Sequence, residues 1–230
     1  MKKVILIDIG TIRYEQGLKV QNMVMSHMKN HDDLAGFLLL VEHDPVFTVG
    51  KSGGFENLLW PKEYIKSLGI DIHETNRGGN ITYHGLGQIV GYPILNLKHF
   101  KKDIHWYMHQ LEEIIICTLK ENGILAGRKS KYRGVWVADE KICAMGVALK
   151  SWITMHGFAL NYDINEEHFK LINPCGITDF GITSIKKIKK DVEKEAVLLK
   201  IRSNFESLFE CKLIEKKFQQ LEEMISIDNR

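Results

Sequence analysis

The run Val135-Trp136-Val137-Ala138-Asp139-Glu140-Lys141-Ile142-Cys143-Ala144-Met145-Gly146-Val147-Ala148-Leu149-Lys150-Ser151-Trp152-Ile153-Thr154-Met155-His156-Gly157-Phe158-Ala159-Leu160-Asn161 holds three strand-like segments in succession. Val135–Ala138, Ile142–Leu149 and Trp152–Asn161 are apolar and β-branched, with Asp139-Glu140 and Lys150-Ser151 as the turns between them. Connections this short join antiparallel neighbours, so the stretch reads as a hairpin or meander. Upstream of it the pattern changes. Val4–Asp8 is a strand, and Tyr14–Lys29 sets Tyr14, Leu18, Val24, Met25 and Met28 at mostly helical intervals. Gly36–Glu42 carries Phe37-Leu38-Leu39-Leu40-Val41, an apolar run suited to a strand buried on both faces, and Val46–Val49 follows after Pro45. Lys51-Ser52-Gly53-Gly54 is a turn, Pro61 opens a short helix through Leu68, and Ile70–Thr75 returns as a strand.

Between these strands and the meander lies the clearest helix, in which Ile104, Met108, Leu111, Ile115 and Leu119 recur every three or four residues and Gly123 is the stop. Downstream, Asn173-Pro174-Cys175-Gly176 is a turn, Ile182–Ile185 a short extended segment and Lys186–Lys190 a basic linker. Asp191–Phe209 is a second long helix, and Glu215–Ile227 a third with Phe218, Leu221 and Ile225 on one face. Strands that alternate with helices early and cluster later predict an α/β (α+β) mixed-sheet sandwich, not a strict doubly wound fold. The length of 230 residues predicts one domain, residues 1–230.

With 44% hydrophobic and 26% charged residues and a formal charge of +2, the composition gives no reason to expect nucleic-acid or membrane-surface binding. The basic start Met1-Lys2-Lys3 leads into an apolar run that stops at Asp8 with no small-residue cleavage site, so it reads as a strand and not a signal peptide. No apolar run reaches the length of about 18 residues that a membrane span needs. A cytoplasmic protein is expected. Cys117, Cys143, Cys175 and Cys211 show none of the close spacings of zinc or thiol-redox motifs, and free thiols are expected.

Residues Arg77 to Pro93 read as a binding surface. Five glycines stand among polar residues there, Arg77 and His84 bracket a short strand, and Thr82 is expected to face away from Ile81 and Tyr83. Among the thiols, Cys175 stands out because Pro174 and Gly176 put it in an irregular turn that can present it to a ligand. Cys143 lies inside an apolar strand and Cys117 in the long helix; both read as small buried hydrophobes. A nucleophilic cysteine works as its thiolate, and with a free pKa of about 8.5 it needs a neighbouring cation or base. Lys141, His84 and His156 are the candidates, although Lys141 also reads as a solvated strand end and His156 as a core histidine.

Four blocks taken together resemble the octanoyltransferase family of lipoate biosynthesis: His43 through Gly50, Arg77 through Pro93, Lys141 through Leu160, and Asn173 through Ile185. The resemblance spans most of the chain in order. It implies a fold similar to the catalytic domain of lipoate and biotin protein ligases. It also implies transfer of an octanoyl group from acyl carrier protein to a lysine of a lipoyl-carrier domain, with no cofactor and no metal. By this resemblance Cys175 matches the acyl-thioester nucleophile and Lys141 the lysine that lowers its pKa. Arg77, Gly78, Gly79, Asn80, Ile81, Thr82, Tyr83 and His84 match the main substrate-binding segment, Ala144-Met145-Gly146 a second, and Gly157-Phe158-Ala159 a third. His156 joins them as a ring that, with His84, can orient the thioester or stabilise its oxyanion. Leu86, where the family commonly has proline, and Ala148-Leu149-Lys150, where it often has an arginine, depart from the pattern.

The implied partners are octanoyl-acyl carrier protein as donor and, as acceptors, the lipoyl domains of 2-oxoacid dehydrogenases and the glycine cleavage H protein. The basic linker at Lys186–Lys190 offers an acidic carrier protein a docking patch. Three alternatives stay open: an ATP-dependent lipoate or octanoate protein ligase, a lipoyl amidotransferase, and a non-catalytic acyl-protein binding module.

Overall fold

The computed structural model describes residues 1–31, 33–174 and 180–227. Its largest element is a mixed sheet, nine-stranded among the described residues. β1 (Lys2–Ile12) is followed by α1 (Tyr14–Asn30), β2 (Gly36–His43), β3 (Val46–Val49), α2 (Lys62–Ser67), β4 (Asp71–Glu74), β5 (Ile81–His84) and β6 (Gln88–Leu95). Then come α3 (Ile104–Glu121), β7 (Gly127–Lys129), β8 (Tyr132–Val137), β9 (Glu140–Lys150), β10 (Ile153–Asn161) and α4 (Glu166–Phe169). β11 (Gly181–Ile182), α5 (Ile185–Ile188), α6 (Lys194–Phe209), β12 (Cys211–Lys216) and α7 (Phe218–Ile227) complete the order. The large sheet runs β12-β1-β2-β6-β10-β9-β8-β7, with β11 pairing with β9, and a small sheet runs β4-β3-β5.

The apolar run in β2 makes it a central strand. Leu38 and Leu40 enter a core that includes Leu111 and Ile115 of α3 and Ile201 and Phe205 of α6. Phe37, Leu39 and Val41 point the other way, to Val24 of α1 and Leu221 and Ile225 of α7. Helices therefore cover both faces, and each fully buried leucine contributes on the order of 1.5–3 kcal/mol. The small sheet has its own core around Phe47, Ile65, Ile81, Tyr83 and Phe169. Among the described residues, no helix is long and apolar enough to cross a membrane.

The meander is present, with its turns one residue from the expected places. β9 and β10 join through Ser151 and Trp152, both at positive φ (53° and 67°), with Lys150 paired to Ile153. Two successive left-handed residues match the twist of an antiparallel hairpin, so the backbone takes them despite the indole. Ala138 and Asp139 turn β8 into β9, with Ala138 at φ 47°.

Other boundaries also move. The strand at Gln88 continues through Pro93, which faces Leu38 on β2. Proline has no N–H to leave unpaired. On the β10 side the hydroxyl of Thr154 donates to the Pro93 carbonyl at 2.7 Å and accepts the Leu95 N–H at 2.8 Å. Ile185 begins the short helix α5, capped by Ser184, so the extended segment ends earlier than expected and the basic linker is partly helical. Of its four lysines, Lys187 is matched locally, reaching both Glu140 and Glu166 at 3.2 Å, while Lys186 and Lys189 donate to backbone carbonyls. The second long helix starts at Lys194 rather than Asp191, since Glu193 is extended. Glu215 and Lys216, expected in the last helix, end β12, an edge strand parallel to β1. Its Lys- and Glu-rich sequence suits an exposed edge and hides the strand from an apolar-periodicity search.

Candidate active site

A cleft enclosing about 470 Å³, its open mouth included, lies between the small sheet with its glycine-rich loop and strands β6, β9 and β10 of the large sheet. Arg77, Gly79, Thr82 and His84 line one side. Ala144, Met145 and Gly146 of β9 and His156, Gly157, Phe158 and Ala159 of β10 line the other. The inner end is closed by Tyr14 of α1 and Tyr92 of β6.

The loop between β4 and β5 is tied to both walls. Gly78 donates its N–H to the Val147 carbonyl on β9 at 2.8 Å. The buried guanidinium of Arg77 donates to the Thr48 carbonyl at 2.6 Å, the Thr48 hydroxyl at 2.9 Å and the Gly78 carbonyl at 3.0 Å. Gly146 permits this approach, since a Cβ there would stand 2.9 Å from the Gly78 oxygen. Gly79 takes a φ of +85°. The cleft wall thus depends on positions where a side chain is excluded.

Both cleft histidines are neutral, and their tautomers follow from their partners. His84 Nδ1 lies 2.8 Å from the Gln88 amide oxygen, which accepts, so Nδ1 carries the proton and Nε2 is an acceptor. His156 Nε2 lies 2.7 Å from Asn76 Oδ1 and carries its proton, so its Nδ1 is the acceptor. Burial, the adjacent His43 and Arg77 lower the His84 pKa to about 3, and burial with Arg77 lowers that of His156 to about 4. Each ring spends its only N–H inside the protein. Orientation of a ligand by these rings fits the geometry, whereas donation to an oxyanion does not. His156 also holds a φ of +59° within a strand, and its N–H is taken by Gln21 Oε1 at 2.9 Å. Such a conformation costs on the order of 1–3 kcal/mol and is found where a side chain must be aimed.

The inner end is a relay of rings. His43 donates from Nδ1 to the Ile12 carbonyl at 2.9 Å and accepts from the Tyr92 hydroxyl at Nε2 at 2.7 Å. The Tyr14 ring stacks on His84 with centroids 5.9 Å apart and planes 8° from parallel. Sequence reading missed Tyr14 as a cleft residue, since it was visible only as one residue of a helix face. Tyr92 fell within the Arg77–Pro93 binding stretch but was not singled out there.

Lys141 lies outside the cleft proper, in an adjoining groove that shares Gly79, Met145 and Gly146 with it. It is buried, not the solvated strand end of the bland reading, and its Nζ lies 4.7 Å from the centroid of the Trp136 ring. Of the expected binding segment, Ile81 and Tyr83 point into the small-sheet core while Thr82 faces the cleft, as the strand alternation predicts. Tyr83 gives its hydroxyl to a 2.7 Å contact with His168 Nδ1. Asn80 braces the loop, accepting from the Ile81 N–H at 2.6 Å and from Asn57 Nδ2 at 3.0 Å.

Cys175 lies outside the described residues. On one flank, the Asn173 N–H donates to the Asn57 carbonyl at 2.9 Å. On the other, Phe180 packs edge-on to Trp136 with centroids 5.4 Å apart, and Ile182 pairs with Lys141. Cys117, Cys143 and Cys211 are free thiols. Burial pushes the Cys143 thiol far above its usual range and that of Cys211 up to about 11, which leaves both as poor nucleophiles at neutral pH.

A mixed sheet covered by helices meets a small second sheet across a glycine-walled cleft, and the chain belongs to the lipoyl protein ligase A/B catalytic domain family, which it matches over residues 13–206. It is 51% identical over 207 residues to the octanoyltransferase of Clostridium kluyveri, covering 90% of this chain and 88% of that protein. It is 47% identical over 216 residues to the octanoyltransferase of Caldanaerobacter subterraneus subsp. tengcongensis, covering 94% of each. Within the family it is therefore an acyltransferase of the octanoyltransferase group. A crystal structure of lipoate-protein ligase A bound with ATP superposes with a TM-score of 0.75 over 99% of this chain and 93% of that one, at 15% identity, a likeness of fold.

Proposed function

We propose that residues 1–230 act as one catalytic unit that moves an octanoyl group from octanoyl-acyl carrier protein to the lipoyl lysine of 2-oxoacid dehydrogenase lipoyl domains and the glycine cleavage H protein. The reaction is assigned to the cytoplasm. The observation that carries the proposal is the placement of Lys141. Its side chain lines the outer groove with its Nζ over Trp136, and Phe180, which follows the segment bearing Cys175, packs on that same indole.

In this reading the Cys175 thiolate, favoured by the nearby ammonium, attacks the thioester carbonyl and expels the carrier thiolate, which takes its proton from the Lys141 ammonium and leaves that amine neutral. The octanoyl chain is then held on Cys175 as a second thioester, with its tail between Met145 and Phe158. The acceptor lysine attacks as a neutral amine, the cysteine thiolate leaves, and neutral Lys141 takes the amine proton. Exchange between two thioesters is nearly balanced in energy and formation of the amide runs downhill, so no ATP is consumed. His84 and His156 present lone pairs that orient donors on the substrate, and Arg77 supplies the fixed positive charge in the wall.

The test is transfer to a purified lipoyl domain from octanoyl-acyl carrier protein without ATP, beside a reaction with free octanoate and ATP. Modification in the first alone supports the proposal. Modification in the second alone identifies a ligase.

A further inference from the structure

The outer groove has a charge pattern that acyl transfer alone leaves unexplained. It opens beside Lys141, shares a wall with the acyl cleft, and has no acidic residue among the described residues of its lining. The neighbouring cations at the start of this region are neutralised: Arg128 is paired with Glu112 at 2.9 Å and Glu113 at 2.6 Å, and Lys129 with Asp139 at 2.7 Å. Two residues further along the pattern breaks. Among the described residues Lys131 has no ion-pair partner, and Arg133 meets only the His105 ring, with its Nη2 at 3.3 Å from Nδ1. Because Arg133 can only donate, Nδ1 accepts, and the ring's N–H is then at Nε2. Three groups that donate to an anion therefore line one end of a groove whose other walls are partly apolar, with Ile104, Met108, Met145 and Val147 beside Ser52 and Asn80.

We infer that the groove lined by His105, Met108, Lys131, Tyr132, Arg133 and Met145 seats the phosphate-bearing pantetheine arm of the acyl donor, with the phosphate held by Lys131 and Arg133. The inference rests on the proposed donor chemistry and adds to it a site for the arm. Continuity supports it, because an acyl chain in the cleft leaves its thioester at the Met145–Gly146 wall that the two spaces share. Reach supports it as well. Trp136 is the strand partner of Lys141, and the strand back from it to Tyr132, the residue next to Lys131, rises roughly 13 Å. An extended pantetheine arm bridges a gap of that size. Met108, Met145 and Tyr132 offer it apolar contact. Guanidinium and ammonium donors matched to a phosphate make charge-assisted hydrogen bonds, stronger than neutral ones.

The test compares two donors, octanoyl-phosphopantetheine and its dephosphorylated counterpart octanoyl-pantetheine, with wild-type protein and with the Lys131→Gln/Arg133→Gln double variant. Thermal melts confirm that the variant is folded. The wild type is expected to prefer the phosphorylated donor about tenfold in KM, and the double variant to bring that preference close to one. A wild-type preference near one, or a preference kept by the double variant, overturns the assignment while leaving octanoyl transfer intact. Failure of the wild type with every thioester donor, octanoyl-acyl carrier protein included, overturns the transferase reading and the groove with it.

Discussion

Lys141 Nζ stands 4.7 Å from the ring centroid of Trp136, and the same two residues are partners in the β8–β9 ladder. A flexible lysine stem is thereby held by a rigid indole that is itself buried, so the position of the ammonium is a property of the sheet. Trp136→Leu removes that contact and is expected to lower kcat/KM for octanoyl transfer about tenfold, the equivalent of a partly desolvated cation–π interaction. Trp136→Phe, which keeps an aromatic face, is expected to recover most of the loss. Steady-state kinetics of both variants check this, and equal losses would contradict it.

Lys141→Met is expected to raise the pH at which Cys175 is alkylated by one unit or more, on the order of the effect of removing a close opposite charge. The measurement is the rate of iodoacetamide labelling at Cys175 against pH. An unchanged profile would remove Lys141 from activation of the thiol.

Stability near neutral pH reports the cleft histidines. Their folded pKa values, about 3 for His84 and about 4 for His156, lie below the ordinary value of 6.5. Below pH 6.5 the unfolded chain takes up protons that the native cleft refuses, so stability is full above that pH and falls as pH drops toward the folded values. At pH 5 each ring costs about 2 kcal/mol. Burial lowers His43 and His168 as well, in the same direction, so the assignment requires a variant. Urea denaturation at pH 7.5 and 5.0 is expected to show an acid loss about 2 kcal/mol smaller for His84→Gln than for wild type. Parallel losses would contradict the buried neutral ring.

Gly146 is expected to tolerate no side chain. In Gly146→Ala the new Cβ lies 2.9 Å from the Gly78 oxygen and 3.2 Å from Arg77 Cδ, so either the glycine-rich loop or β9 must move. Overpacking of this kind costs about 1–3 kcal/mol, and transfer is expected to fall at least tenfold as the wall shifts. Gly127→Ala has open space around its Cβ and serves as the control, with both melting temperature and rate unchanged.

The features legible from sequence were those with a period or a short-range cause. The apolar run at Phe37–Val41 marked a strand covered on both faces, and the alternation through Ile81, Thr82 and Tyr83 correctly sent only Thr82 to the cleft. The segments around Gly79, Met145 and Phe158, distant in sequence, line one cleft. What escaped was decided by tertiary contacts. No local signal announces that Pro93 sits inside a central strand, because its tolerance comes from the Thr154 hydroxyl 61 residues away. The hairpin at Ser151-Trp152 uses a left-handed tryptophan, which turn statistics do not favour. Tyr14 and Tyr92 line the cleft from α1 and β6; Tyr14 belongs to no motif, and Tyr92 lies in the Arg77–Pro93 stretch with no feature that singles it out.

The central claim is that Cys175 carries the acyl group. Intact-protein and peptide-mapped mass spectrometry after mixing with octanoyl-acyl carrier protein, without ATP, tests it most directly. One octanoyl adduct on the peptide containing Cys175, labile to thiols and lost as an added lipoyl domain gains the same mass, is the predicted result. An adduct on Cys143 or Cys211, or transfer that survives Cys175→Ala undiminished, would contradict it.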